Sequence, residues 1–398
     1  MNEKNFDVYI DLGSSTIRAA CFNKHIGTII FSTEDKCSTY LKLNKLNFVE
    51  TERTIEKIIF DIEKKTGKYL NNVSLMLDTS DAFSISLSVA KNNESEVITK
   101  QDIQYLIQGA KQEILNSNLD KNIIHIIVNN YKVDDKDYDF LPLNSKCKNF
   151  SIDIIFICFP KMLIKSIEKL FHKHQILVDQ FICSSYAKSY NYKKHFDEYS
   201  KIAFLDIGYE KTSIICYEKN RLKSFEVLSI GGHHITKDIA NILKLDTDLA
   251  EKIKSNLNKN INFSDIEKNN ELFDKDFLAK INKKELSLDL IKKIIFARID
   301  ETLTLSFSLI ENKKNENDKN QLKIILIGQG AKILNNMHIN IAEKKPLAEE
   351  IDFFEESIIN ICQSGLRLTQ GINKQEVLFV PKKIEKKGLF ERLFYLFK

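Results

Sequence analysis

The sequence is poor in chain-breaking residues. Twelve Gly and four Pro in 398 residues leave no room for long flexible linkers, and the length suits two ordinary domains. Cysteine is sparse too. The seven Cys stand singly, without a C-x-x-C and in odd number. That argues against a disulfide framework or zinc site and for free thiols in a reducing cytosol. His172 and His174, and the pair His233–His234, have no Cys or acidic ligand recurring at ligand spacing, so no metal site is expected through them. A net charge of +4 is small for this length and argues against a nucleic-acid binder. No stretch reaches the ~18 apolar residues that span a bilayer. The longest, "IDIIFICF" at 152–159, reads as a buried strand. "MNEKNFDVYIDLG" has no apolar run after a basic start, so no secretory leader is expected.

What is there is a repeat. "FDVYIDLGSSTIRAACFN" (6–23) and "KIAFLDIGYEKTSIICYEKNRLKSFEVLSIGG" (201–232) share one plan. Each has an apolar strand ending in Asp-x-Gly, a short polar turn and a second apolar strand. The pairs are Asp11 with Gly13 and Asp206 with Gly208. A tight turn between strands points backbone N–H groups into one concavity that suits phosphate oxygens. Gly lets the backbone come close. Ser14, Ser15 and Thr16 add hydroxyls to the first turn, and Thr212 ends the second. Asp11 and Asp206, at strand ends, are placed to hold Mg2+ through its waters. A third segment, "LKIILIGQGAKILNN" (322–336), runs from an apolar strand through Gly328 and Gly330 into a helical pattern. Such a turn leaves space for a flat ring or a phosphate at the helix start. Two phosphate hairpins and an adenosine turn, in this order, make the set of an actin-type ATPase. The expected fold is α/β and two-lobed, with duplicated RNase H-like domains.

Within that superfamily the chain resembles FtsA, the actin-like membrane tether of bacterial cell division. "IDLGSSTIRAA" is similar to its first phosphate motif. "SIGGHHITKDIANIL" (229–243) matches its G-G-x-x-I-T-x-D-I-A run, with Gly231 and Gly232 turning the chain into a helix. "DTDLAEKIK" (246–254) and "IIFARIDETLTL" (294–305) resemble the segments that follow. The resemblance implies ATP with Mg2+ in the cleft, self-association into filaments, FtsZ and other division proteins as partners, and a place on the inner face of the cytoplasmic membrane. It also implies that the FtsZ C-terminal peptide docks near the long helix around Lys292, Lys293 and Arg298. A small-molecule kinase and an actin-like pilus-assembly adaptor are the alternatives.

Residues 81–160 read as a small α+β insertion between the halves of a first lobe (1–80 and 161–198). The second lobe is expected at 199–245 and 312–380, with a small subdomain at 246–311. In the insertion, Ile103, Leu106, Ile107, Ala110 and Ile114 fall at helical spacing. The chain departs from the family at the second turn, where Tyr209 and Glu210 replace small residues. Glu210 brings a negative charge near phosphates and Lys211 offsets it, so hydrolysis is expected to be weak at most.

The tail, "GLFERLFYLFK" (388–398), is amphipathic. On a helical wheel Leu389, Phe390, Leu393, Phe394, Leu396 and Phe397 share one arc. Burying six such side chains is worth about 9–18 kcal/mol, and ordering ten residues costs at least ~10 kcal/mol. The margin is narrow. Lys382, Lys383, Lys386 and Lys387 just upstream add ~1 kcal/mol each toward anionic lipid. The expected outcome is a membrane-targeting helix lying in the interface rather than spanning it.

Overall fold

A computed structural model describes residues 5–37, 48–94, 96–138, 140–257, 288–311, 322–333, 350–370 and 377–379. The expected tail helix, with its six apolar residues, lies outside them.

The repeat in the sequence is a repeat in topology. In the first sheet, β1 (Phe6–Leu12) and β2 (Thr16–Asn23) form an antiparallel hairpin, extended by β3 (Ile29–Lys36). On the other side of β1, β4 (Asn72–Leu77) and β9 (Leu177–Cys183) run parallel to it, in the order β3-β2-β1-β4-β9. In the second sheet, β10 (Lys201–Ile207) and β11 (Thr212–Glu218) form the hairpin and β12 (Arg221–Leu228) extends it. β13 (Leu322–Ile327) and β14 (Glu350–Phe353) run parallel to β10, in the order β12-β11-β10-β13-β14. β1, β10 and β13 are buried almost throughout, as strands covered on both faces must be.

The insertion is a third sheet of β5 (Phe83–Asn92), β6 (Lys121–Val133), β7 (Lys136–Tyr138) and β8 (Asn149–Pro160). Helix α2 (Lys100–Ser117) lies on it. Thr99 caps the helix with Asp102 in a reciprocal capping box. Ile103, Leu106, Ile107, Ala110 and Ile114 form its buried face, as their spacing predicts.

Helices cover the two main sheets. In the first lobe they are α1 (Phe48–Thr66), α3 (Lys161–Lys173) and α4 (Ser184–Tyr192). In the second they are α5 (Gly232–Leu243), α6 (Thr247–Leu257) and α7 (Leu288–Glu311), whose apolar faces share one core with β10, β11 and β13.

The end of the chain differs from the expected division at 312–380. Helix α8 (Ile358–Gln370) packs on the first lobe, its Cys362, Leu366 and Leu368 in the core that holds β1 and β2. Tyr9 and Thr369 share a hydrogen bond of 2.5 Å, and Arg367 donates to Asn191 Oδ1 at 2.7 Å. Strand β15 (Val377–Phe379) then pairs antiparallel with β6 of the inserted sheet. α8 is amphipathic enough to cover either lobe, so the sequence pattern alone did not choose its partner. No helix among the described residues is long and apolar enough to cross a membrane.

Candidate functional site

The two hairpin turns face one another across a cleft. Gly13 N–H donates to Thr16 O at 3.1 Å and Gly208 N–H to Lys211 O at 2.8 Å, so both turns close in the same way. A Cβ on Gly13 would stand 2.6 Å from Thr16 O, which explains the Gly. The third motif lies against the second hairpin. Gly328 has φ +90°, and a Cβ there would meet Ile207 O at 2.5 Å. A Cβ on Gly330 would meet Ile207 O at 2.8 Å. The Gly-Gly run closes the ring. Gly232 N–H donates to Gly208 O at 2.9 Å and His233 N–H to Tyr209 O at 2.7 Å. A Cβ on Gly231 would lie 2.6 Å from Lys211 N. The predicted glycines therefore come together at one place, and at Gly13, Gly231, Gly328 and Gly330 a backbone atom approaches too closely for a side chain, whereas a Cβ on Gly232 would find room at 3.7 Å.

Two connected cavities result. The outer one measures about 1140 Å3 and is lined by Ser15, Thr16, Gly208, Tyr209, Gly232 and Gly330, among others. The inner one, about 80 Å3, lies under the turns. Ser14, Asp11, Asp206 and Gly328 line it. Thr212 is fully buried and donates to Ile230 O at 2.7 Å. It anchors the hairpin from below and does not line either cavity.

Beside Asp11, Asp206 and Lys211, which the sequence had singled out, the inner cavity holds charges that the motifs did not announce. Four carboxylates (Asp11, Asp78, Asp206, Glu356) meet three cations (Arg18, Lys188, Lys211). The strand register sets Arg18 opposite Asp11, and Arg18 Nη1 donates to Asp11 Oδ2 at 3.2 Å. Ser184 Oγ, at the start of α4, donates to Asp11 Oδ1 at 2.6 Å. Lys188 Nζ stands 2.7 Å from Asp206 Oδ2 and 3.3 Å from Glu356 Oε1. Glu356 Oε2 accepts the Gly328 N–H at 2.9 Å. Lys211 Nζ lies 3.2 Å from Asp78 Oδ2 and donates to Ser213 Oγ at 2.7 Å. Lys211 thus serves Asp78 across the cleft, while Glu210 sits half-buried in the turn. Burial works against the charge of Lys188, but Asp206 and Glu356 outweigh it and hold the ammonium well above its ordinary value. Burial pushes Glu356 up, with Lys188 opposing. Mg2+ does not fit this donor set as it stands. Both carboxylates expected to hold it, Asp11 and Asp206, already carry a protein cation.

On the outer wall, α5 and α6 bring Thr236, Glu251 and Lys254 together. Lys254 Nζ donates to Gly232 O at 3.0 Å, Thr236 Oγ1 at 2.8 Å and Glu251 Oε2 at 2.7 Å. Tyr209 stacks on His233 with centroids 4.7 Å apart. Burial, with the charges of Lys237 and Lys254, pushes His233 down to about 4. Glu251 and Lys254 line the outer cavity; they stand in "DTDLAEKIK", which the sequence marked only by its family resemblance, and neither was expected as a site residue. Arg18, Asp78, Lys188 and Glu356 had no local signal.

Elsewhere, Arg298 on α7 is gripped by Asp238 of α5 at 2.6 and 3.0 Å and by Glu301 at 2.6 Å. Lys292 is half-buried and Lys293 exposed on the same helix.

Comparison with known proteins agrees with the motifs. The family model described as "Cell division protein FtsA" matches residues 203–374. Cell division protein FtsA of Helicobacter pylori (strain ATCC 700392 / 26695) is 22% identical over 279 residues, covering 64% of this chain and 56% of that protein. The chain thus spans little more than half the length of that relative. FtsA of Buchnera aphidicola subsp. Acyrthosiphon pisum (strain APS) is 25% identical over 319 residues, covering 75% and 73%. Among solved structures, the "PilM-PilN type IV pilus biogenesis complex" superposes with a TM-score of 0.58 at 11% identity, covering 89% of each chain. MreB 5 of Spiroplasma citri bound to AMPPNP gives 0.51 at 10% identity, covering 93% and 97%. The structural likeness carries the fold, which is actin-like; the sequence likeness carries the resemblance to the FtsA cell-division family.

Proposed function

We propose that this chain, similar in sequence to FtsA and built on the actin-like fold, is an ATP-binding scaffold of cell division. It self-associates into filaments and holds FtsZ at the inner face of the cytoplasmic membrane. The observation that carries the nucleotide part is the convergence of residues 11–16, Gly208, Tyr209, Lys211, Gly232 and 328–330 on one cleft. Its outer cavity is ample for a nucleoside, since ligand pockets run about 300–1,000 Å3. The adenosine side lies against Gly232, Gly330, Glu251 and Lys254. The phosphates lie toward Gly13–Thr16 and Gly208, where N–H groups and hydroxyls can receive them.

FtsZ docking is assigned to the face of α7 that carries Lys292 and Lys293, whose charge suits an acidic peptide. Arg298, already held by Asp238 and Glu301, fixes α7 against α5 behind that face. The basic segment and amphipathic tail (381–398) supply the membrane contact.

Fluorescent-ATP titration tests the cleft. Gly330→Val forces a side chain against Ile207 O and should abolish binding, while Lys24→Ala, far from the cleft, should leave it unchanged. Equal affinity in wild type and Gly330→Val would remove the nucleotide assignment. Sedimentation of FtsZ C-terminal peptide with the protein and with Lys292→Glu/Lys293→Glu tests the second surface, and undiminished binding by the charge-reversed chain would move the site elsewhere.

A further inference from the structure

The inner cavity differs between the two hairpins in one respect. In the first, Asp11 takes its counter-ion from the opposite strand, Arg18. In the second, the register puts Ser213 opposite Asp206, and the cation comes from across the cleft. Lys188 of α4 reaches over to place its ammonium 2.7 Å from Asp206 Oδ2 and 3.3 Å from Glu356 Oε1. Lys188, Asp206 and Glu356 are 7%, 4% and 9% exposed. A hydrated Mg2+ keeps several waters at 2.0–2.1 Å and binds few carboxylates. Bridged to Asp206 by one of those waters, its centre would stand about 4 Å from the carboxylate, whose Oδ2 the Lys188 ammonium already holds at 2.7 Å. Seating it there would also press a divalent charge against a buried ammonium, a repulsion that low dielectric magnifies.

We propose that Lys188 is the resident counter-ion of this subsite and excludes the divalent metal, so that the cleft takes a nucleoside triphosphate without Mg2+. The second half of this statement rests on the nucleotide reading above; the first half does not.

Two measurements on the full chain separate them. The first is thermal unfolding without nucleotide, with and without Mn2+. Wild type should show no shift that depends on Asp206. Lys188→Met, which strands two buried carboxylates, should melt on the order of 10 °C lower. Mn2+ should recover part of that loss, but not in Lys188→Met/Asp206→Asn. Lys188→Arg should behave as wild type toward Mn2+. A Mn2+ stabilisation of wild type that Asp206→Asn abolishes would overturn metal exclusion, and needs no lysine variant to fold. So would a Lys188→Met chain that folds and ignores Mn2+.

The second is fluorescent-ATP affinity in Mg2+ and in EDTA. Wild type should agree within roughly twofold, and Lys188→Met should bind at least about tenfold more tightly with Mg2+. A wild-type loss of more than about tenfold in EDTA would overturn the proposal. If ATP binds in neither buffer, the nucleotide reading and its metal-free corollary fall together, while the Mn2+ result still decides what Lys188 does.

Discussion

Gly328 and His125 show how single residues set the behaviour of the cleft and of the fold behind it. Gly328 has φ +90°, and a side chain there would strike Ile207 O at 2.5 Å and Asp206 Oδ1 at 2.6 Å. Gly328→Ala should therefore move the Gly328–Gly330 turn off β10, weaken the Glu356 contact and, on the proposed function, lower fluorescent-ATP affinity by at least about tenfold. Unchanged binding and Tm would mean that the turn relaxes freely. His125 lies fully buried on β6, where its Nε2 accepts the Cys183 N–H at 2.9 Å. Burial pushes its pKa down to about 3, only partly opposed by Asp78. In the folded state the imidazole is neutral where the unfolded one, near 6.5, takes a proton. Its contribution is thus complete above ~6.5 and is lost as pH falls toward 3, at about 1.4 kcal/mol per pH unit for this one proton. Urea midpoints between pH 6.5 and 4.5 should fall more steeply for wild type than for His125→Gln, whose amide oxygen can still accept the Cys183 N–H. Parallel slopes would place the acid sensitivity elsewhere.

At the scale of elements, α8 is the piece that joins the end of the second lobe to the first. It lies close because Gly365 faces β1 and β4. A Cβ there would stand 2.6 Å from Met76 Sδ and 2.9 Å from Tyr9 Cδ1. Gly365→Ala should overpack this contact and cost about 1–3 kcal/mol. Because the clash is with Met76, the Gly365→Ala/Met76→Ala pair should destabilise by less than the sum of the single changes. Strict additivity in urea unfolding would show that α8 shifts bodily instead. This joint is also where reading the sequence stopped. The hairpins were legible because apolar strands ending in Asp-x-Gly are local patterns, and α2 because its apolar spacing is helical. The destination of α8 was not, since an amphipathic face says that it is covered and not by what. The ion pairs of the cleft were invisible for a like reason. Lys188, Asp206 and Glu356 lie far apart in sequence, and only the meeting of the two lobes puts them within 3.3 Å. Arg298 was expected from the resemblance as part of a docking surface; its grip on Asp238 shows it holding α7 to α5.

For the whole molecule, the question is how a scaffold without a spanning helix among its described residues would stay at a membrane. The tail carries that role in the proposed function, and its energetics make it sensitive. Six apolar side chains gain about 9–18 kcal/mol on burial, against at least ~10 kcal/mol of backbone ordering. One charge in the apolar arc should then release the protein. Phe394→Glu loses roughly 2–3 kcal/mol of burial and sets a negative charge against anionic headgroups. Tyr395→Glu adds the same charge on the polar side and loses less burial. Liposome flotation should therefore show strong loss for Phe394→Glu and for a chain stopped after Pro381, and mild loss for Tyr395→Glu. Raised salt should weaken wild-type binding only in part, because it screens the lysines and leaves the burial. A truncated chain that floats as well as wild type would rule out the tail as anchor. If Phe394→Glu lowers Tm while flotation persists, the helix is packed on the protein's own surface, and the contact with lipid must be sought on another face.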